Sequence, residues 1–288
     1  MMTPRERWLA VLARSRPDRA PMDYWATPEA DRMLMRHLGC STRRRALEML
    51  RVDFVVTVRP EYTGPSLPPE EDVFGCRYRE VDYGAGCYRE CVHHPLAGFR
   101  TVEDVAQGYS WPVADWWDCR QLARQLEGLE DYPVQGGGSE PFLTYRNLRG
   151  EARAFMDLVE NPEMAAFCLG RLVDLDYTLT ERILEALPGR VSLTYVAEDM
   201  GGQTGLLISP EHIRRFLLPG MKRMIALSHQ AGAFVFHHND GDCRAVLPEL
   251  VEAGIDILNP VQWRIPGMDR AGLKKDFGAR LVFHGAMD

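Results

Sequence analysis

Residues 232–260 read GAFVFHHNDGDCRAVLPELVEAGIDILNP, and their order decides the fold. AFVFHH, residues 233–238, is an apolar run of strand length. After a polar turn, CRAVLPELVEAG has the apolar spacing of a helix, despite Pro248. IDILNP is a second strand. Strand, helix and strand with short connections make a βα unit on a parallel sheet, with a right-handed crossover. The same alternation runs outward in both directions. VSLTYVA, residues 191–197, is a strand, and Ser209-Pro210-Glu211 opens a helix to about Gln230. Downstream, residues 270–277 are helical and LVFHG is again a strand.

The first half carries the same units with longer interruptions. Thr3, Pro4 and Glu6 form a capping signature for a helix presenting Trp8, Leu9 and Leu12, and Thr27-Pro28-Glu29 starts another running to His37. MDYW and VDFVVTV (residues 52–58) read as strands, RRRALEML as a helix, and YPVQ as a short strand ending in Gly136-Gly137-Gly138. Residues 59–100, rich in proline, glycine and short aromatic runs, predict a β-hairpin insertion rather than a separate domain. Thr101 restarts a helix, residues 115–128 look helical, and Asn161-Pro162-Glu163 caps a long helix to about Leu187. The count is seven parallel strands, near residues 22, 53, 132, 192, 233, 256 and 281. GGG is not GxGxxG and no P-loop is present, so a barrel is favoured over a nucleotide-binding open sheet. A closed (β/α)8 TIM barrel needs eight strands. The expectation is one barrel domain over residues 1–288, truncated after its seventh strand.

The 288 residues carry 34 basic and 41 acidic side chains, for a net charge of −7, which offers no basic footprint for nucleic acid. No run of about 18 apolar residues predicts a membrane span, and the N-terminus has no secretory pattern. Seven cysteines with no CxxC pair predict reduced thiols in a cytoplasmic protein. Cys87 and Cys91 are a weak metal candidate.

Chemistry in such barrels sits where strands end, and these ends are polar. They carry Glu198-Asp199-Met200-Gly201-Gly202-Gln203, His237-His238-Asn239-Asp240-Gly241-Asp242, Asn259-Pro260-Val261-Gln262 and His284-Gly285-Ala286-Met287-Asp288. Bland roles compete with chemical ones. Asp199 and Asp240 can cap a helix or turn. Alternation sends only one of His237 and His238 into the barrel, leaving the other as a core histidine. Asn259 can fix a turn, Gly201-Gly202 can serve a tight loop, and His284 can be core. The chemical reading pairs His238 with Asp240 around one divalent ion, with Glu198 or His284 completing three ligands and a fourth position open, as catalytic zinc requires. A metal-free reading uses Asp199 or Asp240 to stabilise a cationic intermediate, with His238 as proton donor. Glu198, Asp199, His238 and Asp240 are the candidate catalytic residues. Tyr24, Gln203, Asn239, Asn259 and Gln262 are the candidate substrate-binding residues.

YVAEDMGGQTGLLISPEHIRRFLLPGMKRM, GAFVFHHNDGDCRAVLPELVEAGIDILNPVQ and FGARLVFHGAMD together resemble the uroporphyrinogen decarboxylase superfamily, and TPRERWLAVLARSRPDRAPMDYW resembles its opening. The resemblance implies a (β/α)8 barrel and one of two chemistries. True decarboxylases act without a cofactor and grip their polycarboxylate with an N-terminal arginine motif. The matching MDYWATPEADRMLMRHLG lacks that motif, Arg32 and Arg36 fall later on a helix, and Asp53 starts its strand rather than ending it. The other branch comprises zinc-dependent methyltransferases working with a corrinoid partner protein, usually with His-x-Cys after strand 5. Here that position reads His238-Asn239-Asp240, with Cys243 three residues late. Such a harder ligand set suits an oxygen-bearing substrate. The expected function is metal-dependent methyl transfer on a small molecule with a corrinoid partner. Cofactor-free decarboxylation of a polycarboxylate in porphyrin biosynthesis is the alternative, and a non-catalytic ligand-binding barrel fragment is a third. A homodimer is compatible with all three.

Overall fold

The computed structural model describes residues 1–286; Met287 and Asp288, the end of the last polar strand end, lie outside the described residues. Six parallel strands form one sheet in sequential order. They are β1 (Val56–Thr57), β2 (Val134–Ser139), β3 (Leu193–Val196), β4 (Phe234–His238), β5 (Ile257–Asn259) and β6 (Val282–Phe283). The helices that return the chain include α1 (Pro4–Leu12), α2 (Pro141–Arg149), α3 (Pro162–Ala186), α4 (Leu218–Gln230), α5 (Leu247–Ala253) and α6 (Arg270–Phe277). The fold is α/β, of the (β/α)8-barrel type.

Local chemistry sets these boundaries. Thr3 and Glu6 form the reciprocal capping box of α1, and Asn161 accepts from the Met164 N–H to start α3. Pro248 lies in the first turn of α5, where the missing N–H is not needed, so the helix begins at Leu247 rather than at Cys243. Residues 115–128 hold only two short 3-10 turns around Trp117–Asp118, which pairs antiparallel with Glu61–Tyr62. The insertion is a hairpin of Arg77–Asp82 against Cys87–His93. Cys87 and Cys91 lie four residues apart on one of its strands, a span of ~13 Å that one ion cannot bridge.

The strand expected near residue 22 does not join the sheet. The Asp53 N–H donates to the Met22 carbonyl, but the Met22 N–H is taken by the Asp53 carboxylate. Arg7 and Arg19 bind that carboxylate too, so an ion cluster around the buried Asp53 replaces a ladder. The glycines expected to end the YPVQ strand are followed by Ser139, which still belongs to β2. They lie within it, at a shift of register between Gln135 and Gly138.

Alternation along the strands separates two cores. Leu193, Phe236 and Ile257 point inward, where Trp8 and Leu12 of α1 meet them. Val196, Val235 and Leu258 point outward to the helices. The α1 region is tied to residues just before strands: the Arg5 N–H donates to Asp131, Trp8 Nε1 to Asp53 and Arg14 to Leu281. That closes the end where strands begin and leaves the other end for the site.

Candidate active site

The ends of β3 and β4 converge at the open rim. From β4, His238 points inward, flanked by the rings of Tyr195 and Trp25 at centroid distances of 6.1 and 6.2 Å. Its Nε2 lies 3.7 Å from Asp199 Oδ1 and 4.0 Å from Asp240 Oδ2. Asp199, His238 and Asp240 are the one group of three potential metal ligands found among the described residues, with their ligand atoms within 4.8 Å of one another. Two bonds of ~2.1 Å span at most ~4.2 Å, so both imidazole–carboxylate separations suit one shared zinc-sized ion. Burial and the neighbouring Asp199 charge raise the Asp240 carboxyl above its ordinary range, and His238 opposes that rise.

Two residues expected among the ligands are placed elsewhere. Glu198 turns away from the group and is fully buried, with Oε1 accepting the Phe142 N–H of α2 at 2.8 Å. Burial pushes its carboxyl well above the usual range, against the pull of that N–H. His284 has both ring nitrogens engaged, by Asn259 at 2.7 Å and by Asp23 at 3.2 Å. Asp199 takes their place, and its Oδ1 also accepts the Asp240 N–H at 2.8 Å, locking the two loops together.

The expected substrate-binding residues also separate. Asn239 is buried and braces the loops, accepting the Met200 N–H and donating to the Asp240 carbonyl. Gln262 accepts the Gly241 N–H. Asn259 joins His238 to His284. Gln203 is exposed in the turn between Gly201–Gly202 and Gly205–Leu206. Tyr24 lines a 170 Å³ cavity with Asp23, Trp25 and Arg43. The glycines of these loops serve loop packing: a Cβ on Gly201 would lie 2.7 Å from the Asp240 carbonyl oxygen, and one on Gly241 would lie 2.4 Å from the Gly201 carbonyl carbon. His237 faces the helices as a buried core histidine. Its Nδ1 meets the Val196 carbonyl, while burial pushes its pKa down to about 4 and keeps the ring neutral at pH 7.

A larger cavity of 470 Å³, within the range of small-molecule sites, is linked to the group through Tyr195, which lines it and flanks His238; Asp199, His238 and Asp240 are not in its lining. Arg59, Glu140, Thr144, Asp176, Thr180 and Tyr195 are among its lining residues. Burial, then the Asp199 charge, raises Glu140 to about 7, with His238 and Arg146 opposing. Burial, then Glu140, raises Asp176 to about 8. Both acids were missed in the sequence. Glu140 precedes Pro141 and reads as a helix start, although its side chain makes no capping bond.

These shifts predict a pH dependence. A carboxyl whose folded pKa is raised contributes stability fully below its unfolded value, and that contribution is lost as pH rises through the folded value. For Asp176 the window runs from 3.8 to about 8. Asp176→Asn does not titrate. It is expected to match the wild type near pH 4 and to gain on it up to pH 8, by about 2 kcal/mol once solvent screening at the cavity wall is allowed for. Thermal melts at pH 4, 6 and 8 check this; a difference that stays constant with pH would show that Asp176 does not titrate across the window.

The comparisons with known proteins agree with this architecture. A search of curated proteins finds no match. A solved structure, a methyltransferase from Methanosarcina mazei, superposes with a TM-score of 0.58 at 16% identity, over 90% of this chain and 76% of that one. No helix among the described residues is long and apolar enough to cross a membrane. The family model for uroporphyrinogen decarboxylase (URO-D) matches residues 117–288, more than half of the sequence and the part that supplies β2–β6 and the whole Asp199–His238–Asp240 group, so the chain belongs to the uroporphyrinogen decarboxylase family.

Proposed function

We propose that the protein is a metal-dependent methyltransferase of this family, acting on a small molecule with a corrinoid protein as methyl-exchange partner. The observation that carries the reading is the convergence of Asp199, His238 and Asp240, with Tyr195 both flanking His238 and lining a cavity of substrate size. A divalent ion bound there supplies Lewis acidity toward a heteroatom of the methyl donor or acceptor. One imidazole and two carboxylates form a hard-to-borderline donor set without thiolate, which suits an oxygen-bearing substrate.

The chain's own groups supply positioning and proton handling. Tyr195 forms part of the cavity wall and also flanks His238. Glu140, with its pKa near 7, can hold or release a proton at its carboxyl close to neutral pH, when the substrate heteroatom gains or loses its methyl group. The cavity argues against a polycarboxylate substrate. Among the described residues of its lining Arg59 is the single cation, where several carboxylates require several.

Elemental analysis and zinc titration test the reading. About one equivalent is expected in the wild type, with the affinity reduced ~100-fold or more in His238→Ala. A wild-type protein that binds no divalent ion, or a His238→Ala variant that binds as tightly, removes the metal centre. Formation of coproporphyrinogen from uroporphyrinogen would establish decarboxylation instead.

A further inference from the structure

Behind His238 runs a chain of hydrogen bonds that leaves the metal group and crosses three segments of the barrel. His238 Nδ1 is 2.7 Å from Asn259 Oδ1. Asn259 Nδ2 is 2.7 Å from His284 Nδ1. His284 Nε2 is 3.2 Å from Asp23 Oδ2, which also accepts from Trp25 Nε1 at 2.9 Å. The chain is sheltered: Asn259 is buried, and the His238 and His284 side chains are each 17% exposed. Sheet register builds it, since His238 of β4 sits beside Asn259 of β5, and the His284 N–H donates to the Leu258 carbonyl next along.

An amide is directional. Its oxygen only accepts and its nitrogen only donates. With neutral rings, one proton arrangement satisfies every contact. His238 carries its proton on Nδ1 and keeps the Nε2 lone pair free. His284 accepts at Nδ1 and donates from Nε2 to the Asp23 carboxylate. The free His238 nitrogen is the one facing Asp199 and Asp240.

We propose that Asn259 is a positioning residue: backed by His284 and Asp23, it selects the His238 tautomer and aims the Nε2 lone pair at the Asp199–Asp240 pair. The bond made by a ligating imidazole's second nitrogen fixes which nitrogen can ligate. The proposal rests on the metal-centre reading for its purpose and on the hydrogen-bond chain for its geometry. It also gives Asp23, in an N-terminal segment that forms no ladder, a place at the far end of the chain.

The test has one arm without metal and one with it. In metal-free wild-type protein labelled with 15N-histidine, the His238 signals, assigned by their loss in His238→Gln, are expected to show a protonated Nδ1 and an unprotonated Nε2. Asn259→Leu removes both amide bonds and is expected to give mixed tautomers and zinc binding weakened ~10–100-fold. Asn259→Asp still accepts from His238 Nδ1, so the His238 tautomer and the zinc affinity are expected to stay near the wild type. A wild-type His238 protonated at Nε2 overturns the proposal. So does a folded Asn259→Leu protein with unchanged tautomer, or an Asn259→Asp protein whose tautomer inverts. If Asn259→Leu fails to fold, the wild-type and Asn259→Asp spectra decide. Failure of the wild type to bind zinc counts against the metal centre, while the metal-free spectra still judge the hydrogen-bond chain.

Discussion

Asp157→Ala is expected to destabilise the protein by about 3–5 kcal/mol, the usual result of stripping one partner from a buried ion pair. Asp157 accepts from Arg149 Nε at 2.6 Å and from the Tyr145 hydroxyl at 2.6 Å, and the Arg149 and Asp157 side chains are 1% and 2% exposed. The same guanidinium donates to the carbonyls of Leu96 and Phe99, where the hairpin insertion rejoins the barrel. Removing the carboxylate leaves a buried cation and a buried hydroxyl without their partner, and it loosens the clamp between insertion and α2. The effect reaches toward the rim, because the first turn of α2 supplies the Phe142 N–H that holds Glu198. A fall in Tm on the order of 10 °C is the expected readout. Arg149→Met combined with Asp157→Leu is expected to be milder than Asp157→Ala, because it leaves no unpaired charge. A single substitution costing under about 1 kcal/mol would mean that water replaces the carboxylate at no penalty.

The rim was legible in the sequence where an apolar run met a polar cluster. AFVFHH and IDILNP each announce a strand and the residues delivered at its end, and alternation correctly allowed one of two adjacent histidines into the barrel. Alternation says nothing once a strand has ended. Glu198 and Asp199 are neighbours in a loop, and only the loop's path sends one to the Phe142 N–H and the other to His238. Asp23 was invisible because the segment holding it makes no ladder; its place depends on the Asp53 carboxylate, which accepts the neighbouring Met22 N–H, and on the His284 ring. Asp176 did leave a signal. Leu172, Asp176, Thr180 and Ile183 follow helical spacing along one stripe of α3, so a carboxylate stands on a face that is otherwise turned inward. A charge at such a position has either a partner or a cavity, and here it has the 470 Å³ cavity.

The glycine run beneath that cavity carries the second large effect. The sequence places Gly136, Gly137 and Gly138 at the end of a strand, yet they form the stretch of β2 where the register against β3 shifts. Their demands differ. A Cβ on Gly136 would meet side-chain methyls of Ile183 and Val58 at 2.9 and 3.0 Å, which small shifts can relieve. At Gly137, with φ +71°, it would meet Thr180 at 2.6 Å, whose hydroxyl accepts the Gly138 N–H. At Gly138, with φ +133°, it would lie 1.8 Å from the Tyr195 carbonyl oxygen, which is backbone of the adjacent strand and cannot rotate away. Gly138→Ala therefore combines backbone strain of ~1–3 kcal/mol with forced separation of two paired strands, of similar size. A total near 4 kcal/mol is expected, against about 1–2 kcal/mol for Gly136→Ala. Urea unfolding of the three alanine variants should rank them 138 worst, 137 next and 136 mildest, and equal losses at all three would contradict the strand-contact account. The same displacement acts on the site, because Tyr195 flanks His238 and forms part of the cavity wall. Under conditions where Gly138→Ala remains folded, its affinity for a divalent ion is expected to fall together with its stability, while Gly136→Ala, whose contacts are side-chain methyls behind the strand, keeps the wild-type affinity.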